Sequence, residues 1–343
     1  MIFLISNFFI GAYMKNIIPT ITAIGKYVPE KILTNQDLEK IVDTSDEWIV
    51  TRTGIKERHI ATDEQASSDL GAEAFKDMQY KYNVNPEEID MIIVATITPD
   101  MFFPSTAALI QGKIGAKNAW GFDMSAACSG FVYALEMATA FIKTEKYKKI
   151  LIFGAEKMSS IANYEDRNTC VLFGDAGTCV LIEPSFDKTG IIDTELYMDS
   201  IGIEYLYMKA GGSKNPASHE TVDNKWHYVY QDGRPVYKHA VSNMSKVGYD
   251  MVIKHGYIGG DLDLFIPHQA NQRIIEACAS RLKLRDDQIM SNIHKYGNTT
   301  AATIPLGLAD AVEENRLKKG DLVLLTAFGG GFTWGATLMK WSI

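Results

Sequence analysis

The chain has 343 residues, 46% hydrophobic and 22% charged, with a formal net charge of −8. This balance excludes a disordered or fibrous chain and leaves room for two domains or one large double one. The negative charge argues against nucleic acid as the main partner, and an acidic partner would need a local basic patch.

The apolar stretch Met1–Tyr13 comes first. It lacks the basic n-region and small-residue cleavage site of a signal peptide, and it is too short to span a bilayer. Met14 directly precedes the first regular segment, so residues 1–15 read as an extension from an upstream start codon, with a membrane-associating segment as the alternative. No other stretch reads as transmembrane. Helix and strand patterns then alternate: helix Ser68–Tyr82, strand Met91–Ala95, helix Ser105–Ile114, strand Ala119–Asp123, helix Cys128–Thr144, and strands Ile150–Gly154 and Thr178–Glu183. Asp199–Arg234 is irregular, with turn signals at Ala210–Ser213 and Asp232–Pro235, and reads as a surface excursion near a site or an interface. Strand Leu262–Ile266, helix Gln269–Leu282, helix Thr300–Asn315 and strand Leu322–Ala327 complete the chain. The alternation is that of an α/β protein with substantial sheets.

A weak repeat runs through this order. Glu88–Val94 resembles Asp261–Ile266, and Lys148–Gly154 resembles Lys319–Leu325. Cys128 and Asn298 fall at nearly equal distances ahead of the second strand of each copy, each opening a helix. A duplicated unit would bring these two places together at a pseudo-twofold junction, although α/β proteins in general show some self-similarity.

Four cysteines are present, Cys128, Cys170, Cys179 and Cys278. They form no CxxC pair, no histidine cluster has metal spacing, and so sparse a set fits a reducing cytosol. Cys128 stands out. It sits between small residues where an apolar strand gives way to a helix, and unpaired N–H groups and the helix dipole there favour thiolate. His268, in Pro267-His268-Gln269-Ala270-Asn271, and Asn298, in Gly297-Asn298-Thr299, also stand at helix entries. Singly, each has an ordinary structural reading: a buried apolar thiol, a core histidine, an N-cap. Gly329-Gly330-Gly331 adds backbone that can approach a ligand closely and direct N–H groups at it. The run lacks the lysine of a phosphate loop and the spacing of a dinucleotide fingerprint.

Six segments occur in one order: Thr44–Ile55, Phe122–Phe131, Phe173–Gly177, Pro267–Asn271, Gly297–Thr299 and Ala327–Gly335. In them the chain resembles β-ketoacyl-acyl-carrier-protein synthase III from about Ile17 to the C-terminus. The resemblance implies a thiolase-like α/β fold, two pseudo-duplicated halves at 16–186 and 187–343 forming a five-layered αβαβα core. It implies a cytoplasmic homodimer that binds neither nucleic acid, membrane nor metal and holds no permanent cofactor. The implied reaction initiates type II fatty acid synthesis. An acyl group, acetyl by default, passes from coenzyme A to Cys128 and is condensed with decarboxylating malonyl-acyl carrier protein.

By the same resemblance, His268 and Asn298 hold the enolate, and the amides of Cys128 and Gly330 form an oxyanion hole. Trp48 and Arg167 sandwich the coenzyme A adenine, Arg52 binds a phosphate and Asn271 contacts the pantetheine. Phe103 and Phe328 line the acyl end of the tunnel. Lys238, Arg273 and Arg281 form a basic patch for the carrier protein. Two alternatives stand beside this reading: a starter or acyltransferase-type synthase of secondary metabolism, and a Cys-His-Asn thioester hydrolase. Trp48, Arg52 and the order of the six motifs favour the condensing enzyme over the hydrolase.

Overall fold

The computed structural model describes residues 17–343. The apolar segment Met1–Tyr13 and the 1–15 extension that contains it lie outside the described residues. In chain order the elements are β1 (Ile18–Tyr27), β2 (Lys31–Thr34), α1 (Asn35–Leu38), α2 (Asp46–Thr53), β3 (Glu57–Ile60), α3 (Ser67–Tyr82), β4 (Met91–Ala95), α4 (Thr106–Ile114), β5 (Trp120–Met124), α5 (Gly130–Lys143), β6 (Ile150–Glu156) and β7 (Ala176–Ser185). There follow β8 (Gly190–Met198), β9 (Leu206–Met208), α6 (His219–Asp223), β10 (Val229–Gln231), α7 (Gly233–Lys254), β11 (Leu264–Pro267), α8 (Gln272–Leu282), α9 (Ile293–Tyr296), α10 (Thr303–Glu313), β12 (Leu322–Gly329) and β13 (Thr333–Lys340).

Two sheets carry the fold. The first has the order β1-β7-β6-β4-β5 and the second β11-β12-β13-β8. Read from the other edge, the second sheet repeats the first without β5. β4 and β6 are parallel, as are β11 and β12. β7 runs antiparallel to β6 and β1, just as β13 runs antiparallel to β12 and β8. The duplication seen weakly in the sequence is therefore a duplication of topology.

The helices fill three layers, giving αβαβα. α5 and α10 pack between the sheets, and their apolar faces join Ile93, Ile152, Val180, Ile266 and Val323 in the central core. α3 and α4 cover the outer face of the first sheet with Phe75, Met78 and Ile110. α7 and α8 cover the second with Met244, Met251 and Cys278. With both faces covered, β4, β6 and β12 are buried along their whole lengths. That is why these strands read as unbroken apolar runs.

The elements expected from the sequence are present, with ends moved by a few residues. β1, β8, the interior strand β13 and α7 are among the elements that gave no such signal. β1 and β8 are edge strands with mixed burial, and α7 is an outer helix whose far side is polar, so neither periodicity is sharp.

Candidate active site

A chamber of about 820 Å³ opens where the halves meet, and Cys128, His268 and Asn298 all line it. Three distant segments thus converge. Cys128 sits in a 3-10 turn, Ala127–Ser129, ahead of α5. The end of β12 backs this turn: a Cβ on Gly329 would stand 2.6 Å from the Cys128 amide nitrogen, so only glycine allows the approach. Gly330 follows and packs against Leu206 of the chamber wall, which a Cβ on Gly330 would meet at 3.4 Å.

The expected thiolate bias at Cys128 is not what this site provides. Cys128 is 7% exposed, and burial pushes its thiol well above the ordinary value. The carboxylate of Glu156 pushes it further in the same direction, opposed by a backbone hydrogen bond. The helix proper begins only at Gly130, so its N-terminal charge is offset from the sulfur. Burial and Glu156 together favour the neutral thiol over the thiolate. Glu156, at the end of β6, is fully buried and unpredicted. It accepts hydrogen bonds from Thr96 Oγ1 (3.0 Å), the Ile97 and Thr98 amides (both 3.1 Å) and Thr98 Oγ1 (2.5 Å). Burial still outweighs them and pushes its pKa up to about 7.

His268 follows β11 and is 1% exposed. Burial holds its imidazole down to a pKa of about 3, so the ring is neutral at physiological pH. Its Nδ1 lies 2.6 Å from the hydroxyl of Thr303. Asn298 is set between neighbours on both sides. Its amide donates to Leu172 O (2.8 Å) and its carbonyl accepts from the Gly174 amide (3.1 Å). Its side-chain Oδ1 accepts from the Thr300 amide at 2.9 Å, which leaves the NH₂ end as a donor to the chamber.

Three arginines, Arg52, Arg234 and Arg273, line the chamber with Trp48 and Asn271, against two carboxylates, Asp166 and Asp232. Trp48 and Arg52 stand one turn apart on α2, and the Arg52 guanidinium lies 4.6 Å from the indole centroid. The Arg167 guanidinium lies 5.2 Å from the same centroid. Arg167 therefore contacts Trp48 directly, and a planar ligand between them would have to part the pair. Asn271 is engaged at both ends: Nδ2 donates to Arg52 O (2.8 Å), and Oδ1 accepts from the Arg273 amide to cap α8.

The acyl-end residues divide. Phe328 is 4% exposed, lines the chamber, and packs 4.8 Å from Phe332 between ring centroids. Phe103 stands 85% exposed in the loop after β4, away from the chamber lining of its own chain. Of the basic patch, Lys238 is exposed on α7, while Arg273 and Arg281 are exposed on α8. Arg273 leans on Tyr237 (5.1 Å) and Arg281 on Tyr249 (5.5 Å), which spreads the charge along the α7–α8 surface.

The excursion between β8 and α7 does border the site. Tyr230 to Arg234 form part of the chamber wall. Glu156, Thr303 and Arg234 were not picked out in the sequence. Only Arg234 had a nearby signal, the Asp232–Pro235 turn.

The duplicated five-layer fold, with a buried thiol, an imidazole and a carboxamide lining one chamber, defines a thiolase-like condensing enzyme. Residues 122–200 match the family described as 3-oxoacyl-(acyl-carrier-protein) synthase III, and residues 253–341 match its C-terminal family. A beta-ketoacyl-(acyl-carrier-protein) synthase III 2 of Bacteroides thetaiotaomicron is 51% identical over 96% of this chain and 98% of its own. The synthase III of Koribacter versatilis is 50% identical over 94% of this chain and 97% of its own. Among solved structures, the synthase III of Aquifex aeolicus superposes with a TM-score of 0.86 at 46% identity, covering 94% of this chain and all of that one (100%). The chain belongs to the β-ketoacyl-acyl-carrier-protein synthase III family, and it is an acyltransferase-type condensing enzyme.

Proposed function

We propose that the enzyme condenses a short acyl-CoA, acetyl-CoA by default, with malonyl-acyl carrier protein, using Cys128 to carry the acyl group and His268 with Asn298 to hold the enolate. The convergence of these three side chains on one chamber carries the reading.

Arg52, Arg234 and Arg273 suit the phosphates of coenzyme A, and Trp48 with Arg167 suits its adenine. In the first half-reaction the Cys128 sulfur attacks the thioester carbonyl. The C–S bond to coenzyme A breaks, and the thiol proton leaves with the coenzyme A sulfur. A neutral resting thiol fits this exchange, because no net charge is left in the buried site. In the second, malonyl-acyl carrier protein loses CO₂. The electron pair moves onto the thioester oxygen as an enolate, where a His268 N–H and the Asn298 NH₂ meet it. The carbanion attacks the acyl-Cys128 carbonyl. The oxyanion is held by the amides of Cys128 and Gly330, then collapses, expels the thiolate and gives 3-oxoacyl-acyl carrier protein. The thiolate regains a proton from solvent. A neutral His268 suits a donor role and could not serve as a cationic acid.

The family's partners and setting complete the proposal. Lys238, Arg273 and Arg281 steer the acidic carrier protein. A homodimer is supported by the exposed apolar loop Met101–Phe103 beside the unpaired edge strand β5. Within such a dimer Phe103 would meet the partner. All four cysteines are free and buried, which suits the cytoplasm, and no helix among the described residues is long and apolar enough to cross a membrane.

The test is a primer panel of acetyl-, isobutyryl- and hexanoyl-CoA with malonyl-acyl carrier protein, run on native enzyme and Cys128→Ser. The expected product is 3-oxoacyl-acyl carrier protein, formed only with Cys128 intact. Free acid released without the malonyl partner would point to a hydrolase instead.

A further inference from the structure

We propose that Thr303 is a positioning residue that fixes His268 in the tautomer with its proton on Nε2, which makes the ring a hydrogen-bond donor to the enolate and not a base. The inference rests on the role given to His268 above.

Thr303 opens α10 and is 1% exposed. Its hydroxyl has one proton and two acceptors in reach, His268 Nδ1 at 2.6 Å and Thr300 O at 3.1 Å. A separation of 2.6 Å is ordinary for an O–H donor and short for an N–H donor. The shorter contact therefore takes the hydroxyl proton, and Nδ1 is the acceptor. A neutral imidazole that accepts at Nδ1 carries its own proton on Nε2. The opposite arrangement would turn the hydroxyl to Thr300 O and leave Nε2 a bare lone pair. Such a ring could abstract a proton but could not hold an enolate oxygen.

The same turn treats Asn298 in the same way. The Thr300 amide binds Oδ1 and leaves the NH₂ end to donate. Thus one segment, residues 298–303, occupies the accepting end of both side chains and leaves two donors for the chamber. Neither the hydroxyl of Thr303 nor its reach to His268 is visible in the sequence, where Thr303 is one of several threonines at a helix entry.

The test uses the full-length enzyme labelled with ¹⁵N-histidine, in native form and as Thr303→Val, Thr303→Ser and His268→Ala. Ring ¹⁵N shifts are read directly. The native enzyme and Thr303→Ser are expected to show His268 protonated on Nε2 with Nδ1 bare. Decarboxylation of malonyl-acyl carrier protein and acylation by acetyl-CoA are measured per titratable Cys128. Thr303→Val, which keeps the shape and deletes the hydroxyl, is expected to lower decarboxylation kcat roughly 10–10²-fold with KM little changed and acylation within twofold, and Thr303→Ser to restore it. A native His268 with its proton on Nδ1 overturns the proposal, and this readout needs no variant to fold. Equal loss of both steps in Thr303→Val also overturns it, as does failure of serine to rescue. If His268→Ala keeps decarboxylation, the role of His268 itself falls, and the proposal with it.

Discussion

The turn at Ala127–Ser129 and the turn at Thr300–Ala302 share a backbone form and hold different chemistry. Each is a 3-10 turn entered through a non-glycine residue at positive φ, 46° at Ala127 and 50° at Thr300, and each leads directly into a helix of the middle layer. They meet back to back: a Cβ on Gly130 would lie 3.5 Å from the Ala301 Cβ. Counted from the turns, Cys128 corresponds to Ala301, and Asn298 lies three residues earlier. The two functional residues are therefore not at equivalent places, as the sequence repeat suggested; only their turns are. The first turn buries a sulfur within the electrostatic reach of Glu156. The second surrounds its polar side chain with hydrogen bonds. One inherited backbone serves a covalent carrier in one half and an electrostatic clamp in the other.

The sharpest way to break this contrast is to remove the sulfur. Cys128→Ser should lower condensation by about 10⁴-fold or more, because no acyl-enzyme forms at a useful rate. Product formation from acetyl-CoA and malonyl-acyl carrier protein, with the native thermal midpoint retained, checks it.

The other turn should fail differently. Asn298→Ala is expected to cost about 10²–10³-fold in decarboxylation, the usual cost of one oxyanion donor. Release of CO₂ from malonyl-acyl carrier protein is the measurement.

A smaller effect tests the surface between the chamber mouth and α8. Arg281→Glu should raise KM for malonyl-acyl carrier protein several-fold and leave KM for acetyl-CoA unchanged, and added salt should narrow the difference. Equal KM values at low salt would remove Arg281 from the docking face.

The smallest effect concerns Glu156. Its charge raises the Cys128 pKa only once it ionises, at a pKa of about 7. Alkylation of Cys128 by iodoacetamide should be a few-fold faster in Glu156→Gln above pH 8 and equal to native below pH 6. Stability follows the same group. Its folded pKa is raised above the ordinary 4.5, so the native state binds this proton more tightly. The stabilisation is complete below about pH 4.5 and is lost as pH rises through about 7. Native Tm relative to Glu156→Gln should therefore fall across that window.

How much of this was legible depends on burial. β4, β6, β11 and β12 announce themselves because both faces are covered and nearly every position is apolar, Glu156 and Thr326 excepted. β1 and β8 do not, because edge strands mix polar and apolar residues. Cys128, His268 and Asn298 were found because each sits in a short motif at a helix entry. Glu156 and Thr303 were not, because their roles come from neighbours far away in sequence, Thr96–Thr98 for one and His268 for the other. The burial that opposes a thiolate at Cys128 is hidden for a related reason. A helix start is visible in sequence, whereas the burial that outweighs it belongs to the assembled halves. Phe103 lies in none of the six motifs and entered through the family resemblance alone, and its exposure depends on where the loop after β4 lies.

The division of labour between the two turns is tested most directly by intact-mass measurement of His268→Ala and Asn298→Ala enzymes after acetyl-CoA, followed by malonyl-acyl carrier protein. The account predicts one acetyl group on Cys128 in each variant at near-native rate, retained after the malonyl partner is added because no carbanion forms to discharge it. Failure of either variant to become acetylated, or discharge of the acetyl group at the native rate with 3-oxoacyl product, would contradict it.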